Sequence, residues 1–193
     1  SVFCEADDEV APGWLQAMGE ALSEHPFVAA RLEYRKLNPA WVLPSEERQY
    51  SGIARSSRPP YLAWASGAAF GLQRSLYQKL GPLSTEFPLA HDMEYCWRAQ
   101  AAGFPLHLAE GAVVHYREKT RLKDRFRQGR NWGHDGTRLE WQYEGGPGRF
   151  PLLRQHACLL RMLPAGMAAA LGATTGRAQA RRRLADWVWN FGW

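Results

Sequence analysis

The sequence has no clean apolar run long enough to cross a bilayer. Its longest, LLRMLPAGMAAALGA, is broken by Arg161, Pro164 and Gly166 and falls short of the roughly 20 residues a spanning helix needs. Cysteine is scarce: Cys4, Cys96 and Cys158 are odd in number and far apart, with no CxxC pair. That spacing argues against a disulfide framework and a zinc-thiolate site, and it points to a reducing compartment. There is no internal repeat, and no helix-turn-helix, RNP-like or zinc-finger spacing. Initiator methionine and signal-type start are also missing, and the first residues read as the end of a strand, which predicts a piece of a longer polypeptide.

What is there suits a packed domain. Of 193 residues 46% are hydrophobic, and nine are tryptophans, enough for a core. Charge is unevenly placed: residues 1–116 carry 9 Lys/Arg against 13 Asp/Glu, and residues 117–193 carry 15 against 6. The change of sign predicts a boundary near Arg117, with one region over 1–118 and a basic helical region over 119–193.

Val2-Phe3-Cys4 reads as a buried strand end, and Pro12 opens a helix carrying Trp14, Leu15, Met18 and Leu22. Phe27 to Tyr34 reads as a strand, and the proline-rich, polar stretch from Lys36 to Pro60 as a long surface loop. Ala68 to Leu72 is a further strand, and Ser75 to Leu80 a short helix stopped by Gly81-Pro82. In HDMEYCWRAQAAGF, Asp92 can cap a helix with Met93, Cys96, Trp97 and Ala101 on its apolar face, ending at Gly103. FPLHLAEGAVVHYRE gives two short strand-like pieces. RLKDRFRQGRNW predicts a basic helix with Leu122, Phe126 and Gly129 on one side, and EGGPGRF a break before the last helices.

Three features can carry chemistry. Glu5, Asp7, Asp8 and Glu9 follow the first strand, and carboxylates there can share a hard cation, Mg²⁺ or Mn²⁺, or simply favour the start of the next helix. Asp92 is either a helix cap or a general base beside a cleft, flanked by His91 and Glu94. His115, past an apolar strand, is either a half-buried polar residue or a nitrogen ligand. The basic run Arg121 to Arg130 fits phosphate binding, a solvated face, or anionic lipid; the acidic first part of the chain and the absent motifs speak against nucleic acid.

The order of FCEADDEVAPGWL, WASGAAFGLQRSLYQKLGPL, HDMEYCWRAQAAGF and EGAVVHYRE resembles the second half of the catalytic domain of family 2 glycosyltransferases, over about residues 1–130. The resemblance implies an α/β fold, the C-terminal part of a GT-A domain with a Rossmann-like mixed sheet, followed by a helical basic tail. It implies inverting transfer of a sugar from a nucleotide-sugar donor to a glycan or lipid-linked acceptor, at a cytoplasmic membrane surface. Glu5, Asp7 and Asp8 then match the family's divalent-cation and diphosphate motif, with Glu5 in place of the usual first aspartate, and His115 matches an assisting metal ligand. Asp92 matches the base, Ser66 and Gly67 a turn near the sugars, and His91, Glu94 and Arg98 the acceptor-side helix. His91 stands where glutamate is common, and Asn131 where processive members have arginine, so polymerisation is not implied. The competing expectations are a catalytically incomplete binding module with a docking tail, and a metal-dependent phosphoryl or nucleotidyl transferase.

Overall fold

The computed structural model describes residues 1–43, 52–56, 62–144, 151–174 and 178–192. Much of the loop from Lys36 to Pro60, and the EGGPGRF break, lie outside them. The chain forms two compact units, Ser1–Leu37 with Pro44–Arg117, and Asn38–Leu43 with Glu118–Trp193.

The first unit is mixed α/β. Its curled four-stranded sheet has the order β1 (Glu9–Val10), β6 (His107–His115), β2 (Phe27–Glu33), β5 (Phe70–Leu72). Strands β2 and β6 run parallel, and the outer pairs are antiparallel. A two-stranded ribbon, β3 (Ala54–Arg55) with β4 (Ala63–Trp64), lies beside it in sequence. Alternation along β2 divides the core. Val28, Ala30 and Leu32 pack against Trp14 and Met18 of α1 (Trp14–Glu24). Phe27 meets Phe70 and Tyr95 edge-on, at centroid distances of 5.7 and 6.0 Å, on the side of α3 (His91–Ala101). Helix α2 (Arg74–Leu80) ends at Gly81, whose φ of 80° an L side chain rarely adopts.

Several expectations change here. Val2-Phe3-Cys4 is not a buried strand end but an edge on which Val2 and Phe3 are half-buried and Cys4 is exposed: Val2 bridges Gly71 and the Phe3 N–H donates to the Phe70 carbonyl at 3.0 Å. Two residues of the acidic stretch and its sequel, Glu9-Val10, form a strand of their own against β6. The two pieces expected from FPLHLAEGAVVHYRE are a single strand whose register jumps. Ala30 pairs with Ala109 and Arg31 with Val113, so Glu110, Gly111 and Ala112 bulge out. Leu15 is 67% exposed, because the α1 stripe is set by Trp14, Met18 and Leu22. On α3 the buried set is Glu94, Tyr95, Cys96, Trp97 and Ala99, while Ala101 faces solvent.

The second unit holds a short 3₁₀ turn (Ala40–Val42) and three helices among the described residues: α4 (Leu122–Glu144), α5 (Pro151–Thr174) and α6 (Ala178–Gly192). Of the expected Leu122, Phe126 and Gly129 side of α4, Leu122 and Phe126 are exposed and Gly129 is buried, together with Arg125, Gly133, Asp135, Gly136 and Leu139. Gly129 lets the α6 backbone approach, since a Cβ there would collide with the Trp189 carbonyl. Arg125, only 5% exposed, bonds Glu118 at 3.0 Å and the Ala185 carbonyl at 3.3 Å, so its buried charge is compensated. No helix of the described residues is long and apolar enough to cross a membrane.

Candidate functional site

Strand directions bring the candidate residues to one edge of the sheet. The parallel pair β2 and β6 ends in Glu33 and His115, which are partners in register, and His115 also lies opposite Glu9 of β1. Strand β5 runs against β2, so the 66–69 turn before it sits at the Glu33 end. Residues 1–3 run against β5 in turn, so they deliver Cys4 to Asp8 to that same edge. It is the carboxyl end of the parallel strands, where open α/β sheets characteristically bind ligands.

Glu5, Asp7 and Asp8 lie on the turn between the chain start and β1. The Asp8 N–H donates to the Glu5 carbonyl at 3.3 Å, closing it. Arg117 fastens it to the end of β6: its backbone N–H donates to Asp8 Oδ1 at 2.7 Å, and its Nε to the Asp7 carbonyl at 2.8 Å. Burial first, then the charges of Asp8, Glu5 and Asp7, push the Cys4 thiol above its ordinary pKa. All three carboxylates are thus within electrostatic reach of Cys4.

His115 Nδ1 is 2.7 Å from Glu33 Oε2. Burial raises the Glu33 carboxyl, but hydrogen bonds from His115 and from the Arg35 and Lys36 N–H groups outweigh it, and the net pKa is lowered. Lys36 pairs with Glu9 in the same neighbourhood.

Asp92 is the second residue of α3, and the N-cap is Ala90, with no side-chain cap bond. The capping expectation is thus replaced by a cross-element role. Asp92 Oδ2 accepts the Gly67 N–H at 3.0 Å, and Oδ1 accepts the Met93 N–H at 2.8 Å. Burial pushes its carboxyl above the ordinary range, against the hydrogen bonds from Gly67 and Met93 and the charge of His91. Ser66 shapes the turn: its carbonyl accepts the Ala69 N–H at 2.9 Å and its Oγ the Ala68 N–H at 3.3 Å. A Cβ added at Gly67 would lie 3.5 Å from both Asp92 Cβ and His91 Nε2, so the turn, the acid and the imidazole are neighbours. His91 is held by Nδ1 at 2.8 Å from the Pro88 carbonyl.

Glu94 and Arg98 instead serve the interior. Arg98 Nε meets Glu94 Oε1 at 2.7 Å, and its other nitrogens reach the Leu80 and Pro82 carbonyls past the end of α2. Reasoning from sequence missed Glu33, Lys36 and Arg117 as parts of this edge. Glu33 stands 82 residues from His115, so only the sheet register unites them.

The donors can be tested against a divalent cation. Among the described residues no three His, Cys, Asp or Glu side chains gather as a metal-holding group. Mg²⁺ is commonly held by one or two carboxylates plus substrate phosphates, a demand that the oxygen donors of Glu5, Asp7 and Asp8 meet chemically. With its proton on Nδ1, His115 donates to Glu33 and keeps the Nε2 lone pair, the carboxylate–histidine pairing usual behind a metal ligand. The residues fit. No family model matches the sequence, and no curated protein matches it.

Proposed function

We propose that the chain is the metal-binding and acceptor-side half of an inverting family 2 glycosyltransferase of GT-A fold. The observation that carries this is Asp92: a carboxyl raised by burial and held by the Gly67 N–H, at the sheet edge that also collects the acidic turn and His115. Such a carboxyl suits a general base, because a raised pKa gives it more affinity for the proton it must take.

In this reading Asp92 removes the acceptor hydroxyl proton as that oxygen attacks the anomeric carbon. The bond from that carbon to the diphosphate breaks on the opposite face, the nucleoside diphosphate leaves with the bond's electrons, and the configuration inverts. The turn of Glu5, Asp7 and Asp8, with one or two of its carboxylates, and His115 would hold Mg²⁺ or Mn²⁺, which would supply positive charge to the leaving diphosphate. Arg117 and Glu33 position that set, and His91, Ser66 and Gly67 border the acceptor. Glu94 and Arg98 contribute by fixing α3. The acceptor is a glycan or a lipid-linked sugar, the basic tail makes a peripheral contact at the inner face of the cell membrane, and nucleic acid is not a partner. The test is Mn²⁺-dependent turnover of nucleotide-sugars by the full-length protein beside its Asp92→Asn variant; a binding module without catalysis would turn over none.

A further inference from the structure

Among the described residues of the second unit, α5 carries an exposed apolar row. On α5, Leu163, Met167 and Leu171 are 44%, 68% and 70% exposed, and the exposed positions among them are only Pro or Ala. Their spacing of four sets them in one line along the helix. The other side of α5 is already used by α6. A Cβ on Gly166 would collide with the Trp187 indole, one on Gly172 would stand 3.0 Å from Ala180, and Trp187 Nε1 donates to the Met162 carbonyl at 2.7 Å. Soluble monomers rarely leave such a continuous apolar row to water.

Charge identifies the occupant. Residues 118–193 carry 14 Lys/Arg against 6 Asp/Glu. Helix α6 carries Arg181-Arg182-Arg183 in its first two turns, and Arg181 and Arg183 are exposed. Arg181 directly follows Ala180, the residue packed on Gly172, and Gly172 directly follows Leu171. The exposed arginines thus belong to the turn of α6 that packs beside the Leu171 end of α5. A second copy on this face would bring two strongly positive units together. A bilayer with anionic headgroups satisfies both halves, taking the row at its acyl boundary and the guanidinium groups at its phosphates.

We infer that Leu163, Met167 and Leu171 of α5 dock in the interface of a bilayer containing anionic lipid, with Arg181 and Arg183 binding its phosphates. This deepens the membrane contact proposed above but is independent of the sugar transfer. The test is co-sedimentation of the full-length protein with vesicles of phosphatidylcholine alone and of phosphatidylcholine mixed with phosphatidylglycerol, with oligomeric state followed by light scattering. The wild type should bind the mixed vesicles, and the double variant Met167→Glu/Leu171→Glu should bind at least about tenfold more weakly while keeping its circular dichroism spectrum. The double variant Arg181→Glu/Arg183→Glu should lose the preference for the anionic vesicles, by roughly tenfold or more at low salt. Wild-type protein that ignores the mixed vesicles, or a glutamate variant that binds as wild type, overturns the inference. So does a dimer, free of lipid, that the glutamate pair dissociates.

Discussion

Replacing Asp92 by asparagine isolates one buried charge. The carboxylate accepts two N–H groups, Gly67 at Oδ2 and Met93 at Oδ1, and asparagine offers a single acceptor oxygen in their place. Losing one hydrogen bond to a charged group costs about 1.5–3 kcal/mol. Against this, burial holds the Asp92 carboxyl above its ordinary pKa, so at neutral pH the wild type carries a desolvation cost that the amide does not. The two effects oppose, and the variant should lie within about 2 kcal/mol of wild type near neutrality. The sign of the pH dependence is sharper. A folded pKa above the unfolded one gives stability that is fully present below the unfolded value, about 3.9, and is lost as pH rises through the folded value. Wild type should therefore gain on Asp92→Asn as pH falls through the folded pKa. Urea unfolding across mildly acidic to neutral pH, followed by fluorescence of the nine tryptophans, reads this difference directly. Parallel stability profiles for the two proteins would refute the raised Asp92 carboxyl.

Two further substitutions probe other parts. Glu33→Gln removes the carboxylate behind His115 and should weaken Mn²⁺ affinity about 10–100-fold by titration calorimetry; an unchanged affinity would take His115 out of the metal set. Gly129→Ala should lower stability by about 1–3 kcal/mol in urea, because its Cβ meets backbone on α6 rather than a yielding side chain; wild-type stability would mean the helices do not approach so closely.

The periodic elements were the legible ones. Trp14 and Met18 announce α1, the FVAARLE run announces β2, and Gly81 marks the end of α2, since each is decided by neighbours a few residues away. What depends on pairing was hidden. Glu9-Val10 has no strand pattern and is a strand only because β6 accepts it, and the β6 bulge follows from its register on β2. On α4 Gly129 was legible, but the rest of the inward side is glycine and a buried Arg125, which an apolar count overlooks. At the candidate site, residue types made Asp92, His115 and the acidic turn readable. Their partners Gly67, Glu33 and Arg117 belong to other elements, and no local spacing could supply them.

The central claim is that Asp92 is the base of a metal-dependent sugar transfer. The most direct measurement is nucleotide-sugar turnover by the full-length protein in Mn²⁺, wild type against Asp92→Asn, at matched folded concentration. The variant should lose on the order of 10²–10⁴ in rate while remaining folded. Turnover in the variant equal to wild type, or turnover in the wild type that survives removal of the metal, would contradict the claim.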